Sequence, residues 1–79
     1  MVRLTSKLTK AARALAGWTA ADLSSVSGVA HDTIRSFESG RTKTLTAVNE
    51  RAIVTAFDAA GIAFIPENGG GAGVRLKEK

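Results

Sequence analysis

Residues 19–41 read TAADLSSVSGVAHDTIRSFESGR and contain the signals for two short helices joined by a turn. Thr19 and Asp22 have the spacing of a capping box, in which a threonine caps a helix start and an acidic side chain three residues later reaches back to it. Gly28 predicts the end of this helix, because glycine readily adopts the left-handed backbone that closes helices. The pattern therefore predicts a first short helix over residues 20–27.

A second short helix is predicted two residues after that glycine. Ile34 and Phe37 form its buried seam, and the pattern extends over residues 31–39 with Gly40 behind it. A short helix, a glycine turn and another short helix form a helix-turn-helix layout. The side chains that point away from the seam are all polar, and such groups hydrogen-bond to base edges. This polar face consists of His31, Asp32, Thr33, Arg35 and Ser36.

Two longer helices flank this pair. An apolar stripe at helical spacing predicts a helix over residues 5–16. The stripe consists of Leu8, Ala11, Ala12 and Leu15. A second apolar face predicts a helix over residues 46–60, which ends at Gly61. This face consists of Val48, Ala52, Ile53, Ala56, Phe57 and Ala60.

The C-terminal stretch has a different character. Residues 62–65 are apolar and partly β-branched, residues 74–76 form a second short segment, and a glycine-rich loop joins them. The two segments are predicted to pair as a hairpin. The predicted fold is all-α, with a four- to five-helix helix-turn-helix domain over residues 1–61. A short C-terminal β-hairpin or strand extension follows over residues 62–79.

Charge separates the two halves of the chain. Of the 79 residues, 11 are Lys or Arg and 7 are Asp or Glu, which gives a net charge of +4. Residues 1–43 contain seven basic and three acidic residues, whereas residues 44–79 contain four of each. A basic N-terminal half on a short chain favours a polyanionic partner, most simply nucleic acid.

Composition argues against several functional classes. The chain has no cysteine and one histidine, so we expect no disulfide, no metal site and no cofactor. No nucleophile and base form a recognisable arrangement, so we do not expect an enzyme. The longest apolar runs are four residues and no signal peptide is recognisable, which predicts a cytoplasmic protein without membrane contact.

Residues 20–37 resemble the helix-turn-helix of the lambda-repressor-like, Xre/Cro-type DNA-binding family. The matching positions are Leu23, Ser24, Gly28, Val29, Ile34 and Phe37. Residues 37–41 also resemble the family's ending of the recognition helix, whereas Ser27 stands where the family usually has alanine or an apolar residue. The resemblance covers about residues 5–60. Residues 60–71 resemble short bacterial regulators of this family, in which an extended C-terminus replaces the fifth helix.

The resemblance implies that the second short helix enters the major groove of DNA. All five residues of its polar face would contact bases, and Arg35 is the strongest candidate because arginine can donate two hydrogen bonds to guanine. Arg35 could instead contact a phosphate or remain solvated, and His31 could donate to a base or to a phosphate. Asp32 could accept a hydrogen bond from cytosine, or it could cap the start of its own helix. The implied phosphate contacts are Thr19, Ala20, Arg41, Thr42, Lys43, Lys10 and Arg13.

Arg13 has a second implied role. Members of the family often pair an arginine of the first helix with a glutamate late in the recognition helix, and Arg13 and Glu38 occupy the matching positions. We expect an ion pair between them that fixes the recognition helix against the first helix. Removal of one partner would leave the other charge stranded.

A regulator of this kind usually reads two half-sites as a two-fold dimer. The apolar C-terminal segment is predicted to form the homodimer interface, because a monomer of this size can hardly cover it. The predicted interface residues are Ile62, Phe64, Ile65, Val74 and Leu76. The sequence leaves open whether the hairpin closes within one chain or between two chains.

The predicted function is a sequence-specific double-stranded DNA-binding transcription regulator, which binds an inverted-repeat operator as a homodimer. The sequence leaves repression and activation open. An alternative is an antitoxin that represses its own operon and neutralises a toxin with the C-terminal segment. Another is an interaction adaptor that no longer touches DNA, against which the basic set of Arg35, Arg41 and Lys43 argues.

Overall fold

The computed structural model describes residues 4–66 and 70–77. Within these ranges the chain forms four helices followed by a two-stranded antiparallel hairpin. The elements are α1 (Ser6–Ala16), α2 (Ala20–Ser27), α3 (His31–Glu38), α4 (Ala47–Ala59), β1 (Ile62–Ile65) and β2 (Gly73–Leu76). The predicted helical domain with a C-terminal hairpin is confirmed, and the hairpin closes within one chain. Residues 67–69 of the predicted glycine-rich loop lie outside the described residues.

Threonine side chains cap the starts of three helices. The hydroxyls of Thr5, Thr19 and Thr46 each accept a hydrogen bond of 3.1 Å from the backbone N–H three residues later. At Thr19 the predicted capping box is complete, because the Asp22 carboxylate accepts the Thr19 N–H at 2.9 Å. Gly28 ends α2 with a φ of 80°. Helix α2 therefore has the bounds that its sequence predicts.

Aromatic rings link the helices to the hairpin. Phe57 of α4 is fully buried, and Trp18 stacks on it with the ring centroids 5.4 Å apart. Phe64 of β1 meets the same ring edge-on at 5.7 Å. Leu23 and Ile34 bring α2 and α3 into this core. Trp18 thus packs against the core between α1 and α2, where its large ring buries apolar area.

The buried face of α1 differs from the predicted stripe. Ala12 is buried as expected, but Ala11 and Leu15 are exposed. Thr9 takes a core position instead, with no exposed surface. Its burial is tolerated because the Thr9 hydroxyl donates to the Thr5 carbonyl at 2.9 Å. The prediction is wrong for Ala11 and Leu15, because hydrophobic periodicity does not recognise a threonine that satisfies its own hydroxyl and takes a core position.

The predicted inner face of α4 is correct only in its central part. Ile53, Ala56 and Phe57 are buried, and Ala52 is half-buried. Val48 is 78% exposed, although it was predicted to face the core. Ala60 is also exposed and lies beyond the helix end. The first turn of α4 therefore presents an apolar side chain to solvent.

The hairpin packs against α1 and α4. Ile62 pairs with Leu76 and Phe64 with Val74, so these four side chains share one face of the hairpin. Ile62 is 1% exposed, and Phe64 and Val74 pack against the core. The opposite face carries Ala63, Ile65, Gly73 and Arg75. The hairpin therefore belongs to the same core as the helices.

Candidate nucleic-acid interface

An ion pair between Arg13 and Glu38 fixes α3 to α1. Arg13 Nε donates to Glu38 Oε2 at 2.8 Å, and Arg13 Nη2 donates to Glu38 Oε1 at 2.6 Å, so the contact is bidentate. The side chain of Glu38 is 8% exposed and that of Arg13 is 22% exposed. The hydrogen bond and charge of Glu38 raise the pKa of Arg13, while partial burial opposes this rise. The guanidinium is therefore charged across the physiological pH range.

Arg13 also contacts the segment that leads into α2. Its Nη1 donates to the Trp18 carbonyl oxygen at 3.1 Å. One side chain thus joins α1, the residue before the α2 cap and the last residue of α3. A guanidinium has five N–H donors, and three are used in these contacts. A phosphate contact by Arg13, as the resemblance implies, would have to use the remaining two.

Two serines of α2 fix the turn between α2 and α3. Ser24 Oγ donates to the Val29 carbonyl at 2.7 Å, and Ser27 Oγ accepts the Val29 N–H at 3.1 Å. Both polar backbone groups of the buried Val29 are therefore satisfied. Sequence reasoning missed this role of Ser27, the position that departs from the family pattern. The available signal was a short hydroxyl side chain two residues before a buried valine.

The predicted base-contacting residues lie on the outer side of α3. Their side chains divide into exposed His31, Asp32 and Arg35 and half-buried Thr33 and Ser36. On the inner side, Ile34 is 1% exposed and Phe37 is 2% exposed. The helix therefore separates a buried apolar seam from a polar face that is open to solvent.

The loop after α3 folds back onto the end of this helix. The Thr42 N–H donates to the Ser36 carbonyl at 3.0 Å. A shallow cavity of about 450 Å³ results, with Asp32, Arg35, Ser36, Ser39 and Arg41 lining it. Two guanidinium groups beside hydroxyls suit a phosphate or a base edge. Ser39 was not among the predicted site residues, although it lies directly after α3.

The remaining predicted phosphate contacts are mostly accessible. Lys10, Arg41 and Lys43 are exposed, and Thr42 is half-buried. At the start of α2, the Thr19 N–H already donates to Asp22. A phosphate at this end would therefore use the first-turn N–H groups of α2, which begin at Ala20.

The predicted dimer residues divide between the core and the surface. Ile62 is buried within its own chain, and Phe64 and Val74 are half-buried against the chain's own helices. Ile65 is 40% exposed and Leu76 is 56% exposed. Only these last two side chains leave much apolar surface for a second chain.

Comparison with known proteins adds no family to this geometry. No protein-family model matches the chain, and no curated protein matches it significantly.

In residues 4–66 and 70–77, no helix is long and apolar enough to cross a membrane. The same residues contain no cluster of three or more His, Cys, Asp or Glu that could hold a metal ion. The candidate site is α3 with the loop and turn that flank it, because α3 is anchored through Ile34, Phe37 and Glu38 and turns a polar face to solvent.

Proposed function

We propose that this chain is a sequence-specific double-stranded DNA-binding transcription regulator that acts in the cytoplasm and places α3 in the major groove. Its target is an inverted-repeat operator bound by a homodimer, in the manner of the lambda-repressor-like family that residues 5–60 resemble. The observation that carries the proposal is the construction of α3, which is anchored on one side and polar and open on the other.

The anchoring of α3 supports a role in recognition. Ile34 and Phe37 are buried in the core, and both carboxylate oxygens of Glu38 accept hydrogen bonds from Arg13. Ser24 and Ser27 fix the turn that leads into the helix. Base readout requires donors and acceptors that are held in position before binding, because ordering them on contact lowers affinity.

The charges around α3 also support this function. Arg35 and Arg41 both line the cavity beside α3. Their guanidinium groups can donate hydrogen bonds to guanine or to phosphate. Asp32 lines the same cavity and disfavours phosphate. An acidic side chain beside an arginine therefore favours contact with base edges over indiscriminate binding of the DNA backbone.

The test starts with selection of bound duplexes from a random pool, because the operator is unidentified. The selected duplex is then compared with a scrambled one by fluorescence anisotropy across a salt series. We expect the Arg35→Ala variant to lose about 5- to 150-fold in affinity for a single selected half-site, the range for one bidentate base contact. Its affinity for scrambled DNA should fall only as far as one lost charge requires.

The matched control is Arg75→Ala, which removes one positive charge from an exposed position on the hairpin. We expect this variant to keep the sequence preference of the wild type. The proposal is wrong if selection enriches no sequence, or if Arg35→Ala and Arg75→Ala reduce specific and scrambled binding alike.

A further inference from the structure

A second exposed surface lies between α2 and α4, apart from the α3 face. It is a groove of about 500 Å³, and its lining includes Val26, Val48, Arg51, Ala52, Thr55 and Ala59. Val48 is 78% exposed and Val26 is 53% exposed, so two β-branched apolar side chains face water here. We call this surface the α2–α4 groove. Neighbouring apolar side chains left in water on a small protein mark an interaction surface.

The spacing along α4 indicates that the groove accepts another helix. Val48, Ala52, Thr55 and Ala59 follow one another at intervals of four, three and four residues. This spacing forms a single seam of the kind that packs against a second helix. Three of the four side chains are small, which allows the axis of a partner helix to approach closely.

We propose that the occupant is α4 of a second copy of this chain, packed antiparallel across a two-fold axis. In this arrangement Val48 of each copy meets Ala59 of the other, so a large side chain faces a small one. A parallel arrangement would instead set Val48 against Val48 of the second copy. Each contact in the antiparallel arrangement occurs twice, as an isologous interface requires.

Charge complementarity selects the same antiparallel arrangement. Arg51 and Asp58 are seven residues apart and follow one flank of the seam. Antiparallel packing brings Arg51 of each copy near Asp58 of the other, which gives two symmetric ion pairs. The side chain of Asp58 is 64% exposed and contacts Lys77 through Oδ1, so a cation of a second copy can still reach this carboxylate. A parallel two-fold arrangement would place these flanks on opposite sides of the dimer, so Arg51 and Asp58 would form no such pairs.

This inference rests on the proposed operator-binding homodimer, and it names the surface that forms the dimer. The 13 residues of α4 span about 20 Å at 1.5 Å per residue. Two helices of this length bury less than the roughly 1,600 Å² of a standard interface. We therefore expect a weak dimer in solution, which two adjacent half-sites stabilise by holding both copies together.

Cysteine cross-linking tests the contact directly, because the chain contains no cysteine of its own. Ala52 lies close to the proposed two-fold axis, so we expect Ala52→Cys to form a disulfide-linked dimer rapidly under mild oxidation. The matched control is Ala11→Cys, at an exposed alanine of α1. Equal cross-linking rates for the two variants would overturn the proposal.

Charge reversal tests the antiparallel arrangement. Sedimentation velocity is used with protein concentrations up to about 1 mM, where even millimolar dimers are populated. We expect Arg51→Asp or Asp58→Arg alone to weaken the dimer by about tenfold through like-charge contacts. The double variant should restore wild-type dimerisation. A wild type that remains monomeric at the highest concentration, or a double variant no better than either single one, would contradict the proposal.

Val48→Glu separates this inference from the proposed function. Val48 is largely exposed, so the variant should fold, while a buried carboxylate at the seam should abolish the dimer. We expect unchanged affinity for a single half-site and lost cooperativity on the full operator. The comparison variant is Leu76→Glu on the hairpin. If Leu76→Glu dissociates the dimer and Val48→Glu does not, the hairpin forms the interface and the inference is wrong. A dimer that needs Val48 but binds no specific DNA would leave the inference intact and refute the proposed function.

Discussion

Helices α2 and α3 are both eight residues long, but they are stabilised in opposite ways. The sequence of α2 closes both of its ends, with the Thr19–Asp22 capping box at the start and Gly28 at the end. α3 begins after Ala30, which offers no side-chain cap, and ends on Glu38. Asp32 in its first turn and Arg35 in its last turn agree with the helix dipole, whereas Glu38 at its end opposes the dipole. Local sequence therefore specifies α2 more fully than α3, which depends more on tertiary contacts.

This difference fits the role proposed for α3. The outer face of α3 consists of residues that form helices poorly but hydrogen-bond well, such as Asp32, Thr33 and Ser36. A helix with that face can be stable only if its inner side is held firmly. Ile34, Phe37 and the Arg13–Glu38 pair supply that hold, which leaves the outer face available for a ligand.

Removing one partner of the ion pair that joins α3 to α1 should destabilise the chain more than any other change considered for these two helices. Glu38→Ala leaves the half-buried Arg13 guanidinium without its partner, and we expect a loss of about 2 kcal/mol in the free energy of unfolding. Urea denaturation followed by circular dichroism measures this loss. The double variant Arg13→Leu/Glu38→Leu removes both charges and should recover most of the stability. A Glu38→Ala variant as stable as the wild type would show that α3 does not depend on the pair.

The pH dependence of this contribution has a defined sign. Glu38 raises the pKa of Arg13 in the folded chain, so the contribution of Arg13 is complete below the unfolded pKa and is lost only as the pH rises through the folded one. Both values are far above neutrality. We therefore expect the stability difference between wild type and Arg13→Leu to show no step from Arg13 between about pH 6 and pH 9.

We expect a smaller loss of stability when the N-terminal cap of α2 is removed. Thr19→Ala deletes the hydroxyl that accepts the Asp22 N–H, and we expect a loss of about 1 kcal/mol in the free energy of unfolding. Thr19→Ser retains the hydroxyl and should remain close to the wild type. If Thr19→Ala lowers the free energy of unfolding as much as Glu38→Ala does, then α2 and α3 do not differ in their dependence on local and tertiary contacts.

The sequence predicts element positions better than the faces that the elements bury. Capping threonines and glycines act within a few residues, so the bounds of α2 and β1 agree with the prediction. The buried face of α1 does not, because Thr9 satisfies its hydroxyl locally and enters the core. The exposure of Val48 depends on how α2 crosses α4, and no local pattern contains that information.

In the candidate site, too, local patterns are predictable from the sequence and long-range contacts are not. The exposed polar face of α3 follows from helical spacing once Ile34 and Phe37 are taken as the seam. The Arg13–Glu38 partnership joins residues 25 positions apart, and its prediction required a family resemblance. The hydrogen bonds from Ser24 and Ser27 to the Val29 backbone were not predicted. Whether they form depends on the backbone conformation of the turn, which the sequence pattern does not define.

A side-chain cap at the start of α3, which the helix lacks, should stabilise the chain slightly. Ala30 has a φ of −57° and a ψ of 138°, an extended backbone close to that of a capping residue. Ala30→Ser adds a hydroxyl that can accept a first-turn N–H of α3, and we expect a gain of about 0.5 to 1 kcal/mol. Urea denaturation measures it against Ala21→Ser, which places serine at an exposed position inside α2 and should not stabilise. If both variants respond alike, the start of α3 is already satisfied by other contacts, and the missing cap does not explain its dependence on tertiary structure.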